Sequence, residues 1–577
     1  MPHSRSLICL FGFLLAVACA RTPGGGVAGP AAGPSAAWRH AGAARVSEAP
    51  AAMVVSGHPI ASEVGRDILR DGGNAVDAAV AVGFALAVVH PEAGNIGGGG
   101  FMVIRRRDGT VRTLDYRETA PGRATRDMYL DGAGEPTERS VTGHLAAGVP
   151  GAVAGLIEAH RRLGRLPLAS VIRPAIELAR DGFVVDRYRS TSIADDSARL
   201  ALFPASRASF LPGGRPPAPG SVLRQADLGF TLEAIRDSGA AGFYRGRVAD
   251  LIVAEMDRGG GLISHADLAG YRAIWREPIT IRYRGHTIYS MPPASSGGVT
   301  MGQILNIMEG YAPLPPFGSP ALLHREAEAM RRAFTDRNIY LGDPAFVSNP
   351  LDRLLSKEYA TMLRGQIGDR ASPTPAFDPG LGAGSSTTHY SVVDAEGNAV
   401  SCTTTLNNSY GSAVTVTGAG FLLNDEMDDF ATAPGKPNLY GLVQGEANAI
   451  APGKRMLSAM TPSIVLDSSG ALYLLVGTPG GPRIITMVYH VISNVIDHRM
   501  SLSDAVAMPR MHHQALPDSV LVERDGFTGA ALDSLRARGH AISGSSDYWG
   551  DVEAIIRTAK GWQGVSDPRR GGGGAGY

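Results

Sequence analysis

The chain has 577 residues, with 54 basic and 54 acidic side chains, so its formal net charge is zero. Because no long-range field then favours nucleic acid or an anionic membrane surface, this balance argues against both as partners and favours small neutral or zwitterionic substrates. The 74 glycines, several of them in short runs, predict tight turns and close approach between backbones.

The N-terminus carries an export signal, in which Arg5 precedes an apolar run over 7–18 that is too short to span a bilayer comfortably. The segment "LLAVAC" fits a lipoprotein cleavage site that would leave Cys19 lipidated, and ordinary signal-peptide cleavage fits equally well. We therefore predict a signal peptide over residues 1–20 and an exported bacterial protein that is either periplasmic or a membrane-anchored lipoprotein. Residues 21–50 are rich in Gly, Pro and Ala, which predicts a flexible tether.

A globular pattern begins at Ala51, with a short strand over 51–57 and a helical stretch over 58–70. The next helix starts near Ala75 and contains the apolar stretch 78–89, whose twelve residues favour a buried core helix over a membrane span. Further helical patterns occupy 151–164, 168–181 and 319–336.

The pattern changes at residues 374–386, where Pro and Gly punctuate a stretch without apolar period, as in an exposed loop. The segments "TTHYSVVD" and "NAVSCTTT" then alternate and are joined by the turn-forming "AEG", so Thr387 is predicted to be the first residue of a β-hairpin. Two more strands, near 461–467 and 471–477, precede "TPGGPR" and an amphipathic helix over about 482–497.

Thr387 has two interpretations. A Thr-rich strand is most often structural, because threonine favours strands. The functional alternative is that the Thr387 hydroxyl attacks the carbonyl of Ser386, shifts the acyl group from nitrogen to oxygen, and is released by water as a new N-terminus. An α-amino group titrates at about 7.7 to 8.0, so near neutral pH the same residue would supply both nucleophile and base.

A glycine pair before the last of these helices is a candidate oxyanion site. Gly480 and Gly481 precede Pro482, a residue favoured at the first helical position, so their amides would point outward from a helix N-terminus. Donors placed in this way stabilise a developing oxyanion without reorganisation. An ordinary Gly-rich turn is the simpler explanation of the same residues.

An acidic run, "LLNDEMDDF" over 422–430, is most simply a surface turn, and its spacing does not follow a calcium-binding EF-hand loop. Alternatively, Glu426 and Asp429 hold the ammonium group of an amino-acid substrate. Arg117 in "LDYRETAP" would then hold the carboxylate, because a guanidinium pairs with a carboxylate in a fork. Together the three side chains would recognise a zwitterion.

From about Ala51 to Tyr577 the chain resembles the γ-glutamyltransferase family, also called γ-glutamyltranspeptidase or glutathione hydrolase, of the N-terminal nucleophile hydrolase class. The blocks that carry the resemblance include "DGGNAVDAAVA", "NIGGGGFM", "YRETAPGRATRDMYLD", "PPASSGGVT", "TTHYSVVDAEGNAV", "NDEMDDF", "GTPGGPRIIT" and "PRMHHQ". It implies an α+β fold, a four-layer αββα sandwich, without a cofactor. It also implies one precursor cleaved between Ser386 and Thr387 into a heavy subunit, 51–386, interlocked with a light catalytic subunit, 387–577.

The resemblance also assigns roles. It implies Thr387 as nucleophile, Thr405 as support for its amine, Asn407 as a substrate contact, Tyr440 as a lid, Arg117 and Ser458 for the substrate α-carboxylate, Glu426 and Asp429 for its α-amino group, and Gly480 and Gly481 for the oxyanion. The implied reaction cleaves glutathione and other γ-glutamyl compounds through an acyl-enzyme on Thr387, which passes to water, amino acids or peptides.

One departure concerns the carboxylate site. Where many members have two consecutive serines, this chain has Ser458 and Ala459, and a lost hydrogen bond there would weaken carboxylate binding by roughly 1 to 3 kcal/mol. An acylase for glutaryl or other side chains is therefore an alternative, although Glu426 and Asp429 favour an amino-acid substrate. An uncleaved lipoprotein that serves as a binding or envelope scaffold is a non-enzymatic alternative.

Other residues with reactive side chains are interpreted as structural. His512 and His513 lack a second cluster with zinc spacing, so no metal site is predicted. Cys402 is the single cysteine of the globular part, which leaves no intramolecular disulfide, and its strand position indicates a buried side chain. The "NIGGGG" run lacks the form of a phosphate-binding loop and is explained by packing against a neighbouring backbone.

Overall fold

A computed structural model describes residues 32–373, 386–544 and 548–577. The predicted signal peptide, Cys19 and almost all of the loop ahead of Thr387 lie outside the described residues.

The described chain alternates helices and strands over its whole length. The strands are β1 Arg45–Ala49, β2 Met53–Ser56, β3 Gly99–Arg105, β4 Val111–Tyr116, β5 Phe183–Val184, β6 Val222–Leu223, β7 Ile274–Arg276, β8 Ile279–Tyr283, β9 His286–Ser290, β10 Ser386–Val393, β11 Ala399–Asn407, β12 Ser463–Leu466, β13 Leu472–Val476, β14 Met511–His512, β15 Val520–Val522, β16 Ile542–Gly544, β17 Glu553–Thr558, β18 Gly561–Ser566 and β19 Gly573–Gly576. The helices are α1 Pro59–Arg70, α2 Ala75–Val89, α3 Ala152–Leu163, α4 Leu168–Asp181, α5 Arg187–Asp195, α6 Ser197–Leu200, α7 Pro204–Phe210, α8 Ala226–Ser238, α9 Ala241–Tyr244, α10 Gly246–Gly259, α11 His265–Gly270, α12 Gly297–Glu309, α13 Pro320–Tyr340, α14 Leu351–Leu354, α15 Lys357–Gly365, α16 Arg483–Ile496, α17 Leu502–Ala507 and α18 Gly529–Ala537.

Two seven-stranded antiparallel sheets form the centre of the molecule. The first sheet has the order β1-β18-β17-β13-β12-β9-β8, and the second has the order β19-β2-β10-β11-β3-β4-β7. The sheets contact each other face to face, with α1 and α2 packed on the outer face of the second sheet and α12 on that of the first. The predicted αββα sandwich is therefore confirmed.

Both sheets contain strands from before Thr387 as well as strands from after it. In the second sheet β10 and β11 lie between β2 and β3, and in the first sheet β12 pairs with β9. Since neighbouring strands share their backbone hydrogen bonds, the two parts of the chain on either side of Thr387 complete each other's sheets. This is the interlocking that the resemblance implies for the two subunits.

The alternation of strand side chains divides the core into layers. Val54 of β2 joins the apolar cluster beneath α1 and α2, and its neighbour Val55 joins the cluster that includes the space between the sheets. Both are fully buried, because successive strand residues point to opposite faces and both faces of this sheet are covered. Burial of one such side chain contributes on the order of 1.5 to 3 kcal/mol.

Helix α2 is the buried core helix that the apolar stretch predicts. Asn74 caps its N-terminus by accepting from the amides of Val76 and Asp77, while Asp77 accepts the Asn74 amide in return. All of its residues are buried between the second sheet and α4. None of the helices in the described ranges combines the length and apolar character needed to cross a bilayer.

Two predicted boundaries are corrected. The flexible tether was predicted to reach residue 50, yet Arg45–Ala49 forms β1, paired with β18, and Trp38 is buried with its indole N–H bonded to the Ala507 carbonyl oxygen. Edge pairing and the indole therefore anchor the end of this segment to the body. The helix predicted over 319–336 extends four residues further, to Tyr340, because no Pro or Gly stops it there.

Candidate active site

The β10–β11 hairpin places Thr387 beside Thr405. The two residues face each other across the hairpin, next to a register shift between Ser386 and Thr387, and the Thr387 hydroxyl donates to Thr405 Oγ1 at 3.2 Å. Thr405 Oγ1 also accepts the Asn407 amide at 2.8 Å, which fixes its position. All three residues Thr387, Thr405 and Asn407 are buried. The predicted hairpin is confirmed and begins one residue earlier, at Ser386.

The glycine run before β3 holds this end of β11 in place. A Cβ atom on Gly98 would lie 2.1 Å from the Thr405 carbonyl oxygen, so only glycine permits the observed approach. Asn95 donates to the same carbonyl oxygen at 2.9 Å and accepts the Gly98 amide at 2.9 Å. The prediction that this run packs against a neighbouring backbone is confirmed.

A buried cavity opens at Thr387 and gathers side chains from distant parts of the sequence. It is lined by Arg117, Arg337, Thr387, Thr405, Asn407, Glu426, Asp429, Tyr440, Leu442, Leu457, Ser458, Ala459, Met460, Gly481, Pro482 and Ile484. Of the predicted site residues, Gly480 does not line the cavity, and the side chain of Ser386 lies outside what the structure describes. The remaining predicted residues meet there.

The charged residues of the cavity pair with one another. Arg117, directly after β4, forms ion pairs with Glu426 and Asp429 of the short 3-10 helix Glu426–Asp429, and lies 3.5 Å from Glu118. Its Nε donates to the Met456 carbonyl oxygen at 3.2 Å. The groups predicted to bind the carboxylate and the ammonium of a zwitterion are therefore in contact with each other.

Burial shifts the proton affinities of this cluster. Burial raises the pKa of Glu426 well above its usual range, although Arg117 opposes the shift. Burial likewise raises the pKa of Glu118 to about 7. For Arg117, burial alone would lower the pKa, but the carboxylates of Glu426 and Asp429 outweigh it and raise the value. The guanidinium thus stays charged, while Glu426 and Glu118 hold protons more readily than in water.

Ser458 lines the same cavity, and its backbone hydrogen bonds hold it in place. Its amide donates to the Ala294 carbonyl oxygen at 2.9 Å, and its own carbonyl oxygen accepts from the Ser296 amide and hydroxyl at 2.8 and 2.6 Å. The Ser458 side-chain oxygen accepts the Met460 amide at 3.1 Å, which leaves its hydroxyl proton directed by whatever fills the cavity. Ala459 lines the same wall without a polar group.

Gly481 and Tyr440 close the cavity near Thr387. Gly481 has φ +57°, and a Cβ there would lie 2.8 Å from the Tyr440 ring. The Tyr440 hydroxyl donates to the Asn407 carbonyl oxygen at 2.9 Å. Within the described chain the amides of Gly480 and Gly481 donate no hydrogen bond. The following helix begins at Arg483, so Pro482 caps it and is not its first residue as predicted.

Arg337 lines the cavity and was not predicted from the sequence. It lies in the last turn of α13, just past the end of the helix predicted over 319–336, and the pattern of that helix gives no sign that it meets Thr387. The usable signal is weak: an arginine among apolar residues on a helix requires a partner when buried.

The residues interpreted as structural are buried and bonded. Cys402 is fully buried, bonds to the Tyr116 hydroxyl at 3.0 Å, and has a pKa raised by burial to about 12, so it is no reactive thiol. His512 contacts Thr486 at 3.0 Å and Gln514 at 2.9 Å. Within the described ranges no group of three His, Cys, Asp or Glu residues is arranged to hold a metal ion.

Comparison with known proteins finds similar sequences over most of the chain. A family model described as Gamma-glutamyltranspeptidase matches residues 61–577. The chain is 47% identical, over 90% of each sequence, to the glutathione hydrolase proenzyme of Escherichia coli (strain K12).

Two acylases are also similar. The acylase ACY 1 proenzyme of Pseudomonas sp. (strain SE83) is 42% identical over 87% of this chain and 89% of its own length. The solved structure of a cephalosporin acylase from Bacillus halodurans superposes with a TM-score of 0.81 at 30% identity, covering 92% of this chain and 97% of that one.

Proposed function

Because the chain belongs to the gamma-glutamyltranspeptidase family, we propose that it hydrolyses and transfers γ-glutamyl groups with Thr387 as its nucleophile. The protein is a γ-glutamyltransferase and glutathione hydrolase, and it is made as a proenzyme. The observation that carries the assignment to Thr387 is its hydroxyl, 3.2 Å from that of Thr405, at the edge of a cavity that also holds Arg117 and Asp429.

Maturation is the first use of the Thr387 hydroxyl. Its oxygen attacks the carbonyl carbon of Ser386, the carbon–nitrogen bond breaks, and the nitrogen becomes the free amine of Thr387. Water then hydrolyses the resulting ester and releases Ser386 as a new C-terminus. The chain up to Ser386, which contains the predicted heavy-subunit range 51–386, becomes the heavy subunit, and residues 387–577 become the light subunit. The mixed sheets support this, since strands on both sides of Thr387 stay paired after the break.

The freed Thr387 then runs a two-step reaction. Its oxygen attacks the γ-amide carbonyl of the substrate while its own amine accepts the hydroxyl proton. The amides of Gly480 and Gly481 stabilise the oxyanion, the carbon–nitrogen bond breaks, and the leaving amine takes the proton. Water converts the γ-glutamyl ester to glutamate, and an amino acid or peptide amine converts it to a new γ-glutamyl amide.

Substrate binding exchanges one set of ion pairs for another. The substrate ammonium replaces Arg117 as the partner of Glu426 and Asp429, and the substrate α-carboxylate replaces those acids beside Arg117 and Ser458. Because Arg117, Glu426 and Asp429 pair with one another before binding and with the charges of the substrate afterwards, none of these three side chains is left without a partner. Asn407 and Tyr440 close the pocket around the γ-carbon chain. This recognition selects α-amino acids amidated at the γ-position.

The second candidate function is deacylation of glutaryl or related side chains, and one observation favours it. Ala459 provides no hydroxyl beside Ser458, and two of the similar proteins are named acylases. The γ-glutamyl function is preferred because the cavity contains two acidic side chains, Glu426 and Asp429, that can bind an ammonium group, which a glutaryl chain lacks.

The apolar run over 7–18 behind Arg5 supports export of the protein. We place the protein in the periplasm or on a membrane through lipidated Cys19, with signal cleavage within residues 1–20. Intact mass spectrometry of the mature protein distinguishes a lipidated cysteine from an ordinary new N-terminus.

The function is tested with the purified full-length protein. Maturation should give two bands on a denaturing gel, the smaller with Thr387 at its N-terminus, and the product should release p-nitroaniline from γ-glutamyl-p-nitroanilide. A single full-length band would support the uncleaved scaffold instead. Cleaved protein that acts on glutaryl-p-nitroanilide far faster than on the γ-glutamyl compound would support the acylase.

A further inference from the structure

Arg337 is a buried cation in the wall of the active-site cavity. It projects from the last turn of α13, its residue is 1% exposed, and it lines the same cavity as Thr387 and Asp429. None of the roles assigned above uses it.

The hydrogen bonds of Arg337 all go to neutral groups. Nε donates to Ser296 Oγ at 3.0 Å, and Nη1 donates to Asn338 Oδ1 at 2.9 Å and Gln444 Oε1 at 3.2 Å. For Nη2 the described residues provide no partner, and none of their carboxylates forms an ion pair with this guanidinium. A buried arginine normally has such a counter-ion, because an uncompensated buried charge is costly.

Its charge persists despite burial. Burial lowers the pKa of Arg337 to about 10, with the field of Asp429 acting in the opposite direction. The guanidinium is therefore protonated at neutral pH. A protonated donor nitrogen without a partner, in the wall of a substrate cavity, is suited to an anionic group of the substrate.

Arg117 alone does not make the cavity attractive to a carboxylate. Its guanidinium contacts Glu426 and Asp429 and lies 3.5 Å from Glu118, so acidic side chains of the protein already surround its donors. A substrate carboxylate that approached only Arg117 would meet these acids at close range. Arg337 supplies a second positive charge in the same cavity, and no carboxylate of the described residues forms an ion pair with it.

The bonds of Arg337 direct this charge to the predicted carboxylate site. Ser296, which accepts from Nε, donates through its hydroxyl to the Ser458 carbonyl oxygen at 2.6 Å. On the other side Gln444, which accepts from Nη1, donates to the Asp429 carbonyl oxygen at 3.1 Å. The guanidinium thus lies between the segment that carries Ser458 and the segment that carries Asp429.

We propose that Arg337 is a specificity-determining residue, which binds the α-carboxylate of the substrate through Nη2 together with Ser458. This inference rests on the proposed function, since it assumes a substrate with a carboxylate at the α-position. It also accounts for Ala459: a second guanidinium in the wall compensates for the hydroxyl that Ala459 lacks.

The test compares three anilides. γ-Glutamyl-p-nitroanilide has both the ammonium and the carboxylate, glutaryl-p-nitroanilide has only the carboxylate, and 4-aminobutyryl-p-nitroanilide has only the ammonium. For Arg337→Gln we expect kcat/KM to fall about 10- to 100-fold on the first two, mainly through KM, and less than about 3-fold on the third. Arg337→Lys should recover part of the loss because it keeps the charge.

Two further measurements secure the result. Arg325→Gln, on the same helix with its side chain over the Tyr311 ring at 4.4 Å, is the matched control and should leave all three rates unchanged. Calorimetric titration of processed protein with L-glutamate and with 4-aminobutyrate measures carboxylate recognition without turnover, and Arg337→Gln should weaken only the binding of glutamate.

The inference is overturned if Arg337→Gln lowers all three rates equally, since that is the effect of a merely structural role, or if it changes none. A protein that binds glutamate through Arg337 and turns over no γ-glutamyl anilide would refute the proposed function and leave this inference standing. If Arg337→Gln does not fold, Arg337→Lys decides, with loss of glutamate affinity supporting the proposal and unchanged affinity refuting it.

Discussion

The Thr387 hydroxyl lies 3.2 Å from the Thr405 hydroxyl, across the pairing of β10 with β11. This pair joins the proposed nucleophile to the residue that is proposed to orient it. The relationship exists before any cleavage, because Ser386 and Thr387 are consecutive in the same strand.

Replacement of Thr387 should separate maturation from folding. Thr387→Ala removes the attacking oxygen, so we expect a single uncleaved chain without anilide release, and Thr387→Ser should cleave and react more slowly. The measurement is a denaturing gel over time together with p-nitroaniline release. Thr388→Ala is the control: Thr388 Oγ1 is buried without a hydrogen-bond partner in the described chain, and cleavage should persist. Two bands from Thr387→Ala would refute the proposed nucleophile.

Asp429→Asn should change which substrate is preferred. Loss of the charge removes a partner of the substrate ammonium, so kcat/KM for γ-glutamyl-p-nitroanilide should fall about 10-fold or more. Arg117 simultaneously loses a competing carboxylate, so the rate with glutaryl-p-nitroanilide should stay the same or rise. Glu446→Gln is the control, because Glu446 is exposed and pairs with Arg126. An equal fall with both substrates would show that Asp429 does not read the ammonium.

Ala459→Ser should restore the missing hydroxyl. Ala459 lines the cavity next to Ser458, where a second hydroxyl would donate to the substrate carboxylate. We expect KM for γ-glutamyl-p-nitroanilide to fall about 5-fold, which corresponds to roughly 1 kcal/mol, with little change in kcat. Steady-state kinetics measure both. An unchanged KM would mean that the carboxylate lies away from this position.

Gly481→Ala should damage catalysis out of proportion to stability. The new Cβ would lie 2.8 Å from the Tyr440 ring at a residue with φ +57°, so the oxyanion amide must shift. We expect kcat to fall about 100-fold. Gly435→Ala is the matched control. Gly435 also has a positive φ, +86°, so alanine there introduces similar backbone strain, but no atom lies within 4 Å of its Cβ and activity should be retained. A similar fall in kcat for Gly481→Ala and Gly435→Ala would show that backbone strain alone causes the loss of activity.

Glu326 should make stability depend on pH. Burial raises its pKa to about 8, with the Tyr489 hydroxyl as a hydrogen-bond donor at 3.1 Å. Between about pH 4.5 and 8 the folded state keeps a proton that the unfolded state has lost, so this residue's contribution to stability falls as pH rises and levels off above about 8. Glu326→Gln removes that dependence. The free energy of unfolding of the variant, relative to that of the parent protein, should therefore be on the order of a few kcal/mol higher at pH 8.5 than at pH 5.

Urea unfolding of the uncleaved Thr387→Ala chain, with and without Glu326→Gln, measures this effect on a single covalent chain. Urea unfolding curves that shift equally with pH in both proteins would show that Glu326 is not the source of the pH dependence of stability.

Much of the fold followed from local patterns. The apolar period of α2 and the alternation around "AEG" predicted a buried helix and a hairpin that the structure contains. Both predictions, the buried helix and the hairpin, are confirmed because each element is one continuous segment whose own residue pattern determines it. The end of the predicted tether was wrong, since the composition of 21–50 gives no sign that Arg45–Ala49 will find an edge of β18.

The residue types of the site were readable in the sequence, and their mutual arrangement was not. A threonine after a Gly-rich loop, a glycine pair before a helix and an acidic run each indicate one chemical role, because that role depends on the residue itself and its immediate neighbours. That Arg117 pairs with Glu426 and Asp429, and that Arg337 joins them from α13, was decided only by the tertiary structure. Side chains more than a hundred residues apart in the sequence meet because two sheets and their helices pack around one cavity. A local sequence pattern does not show which distant segments will come into contact.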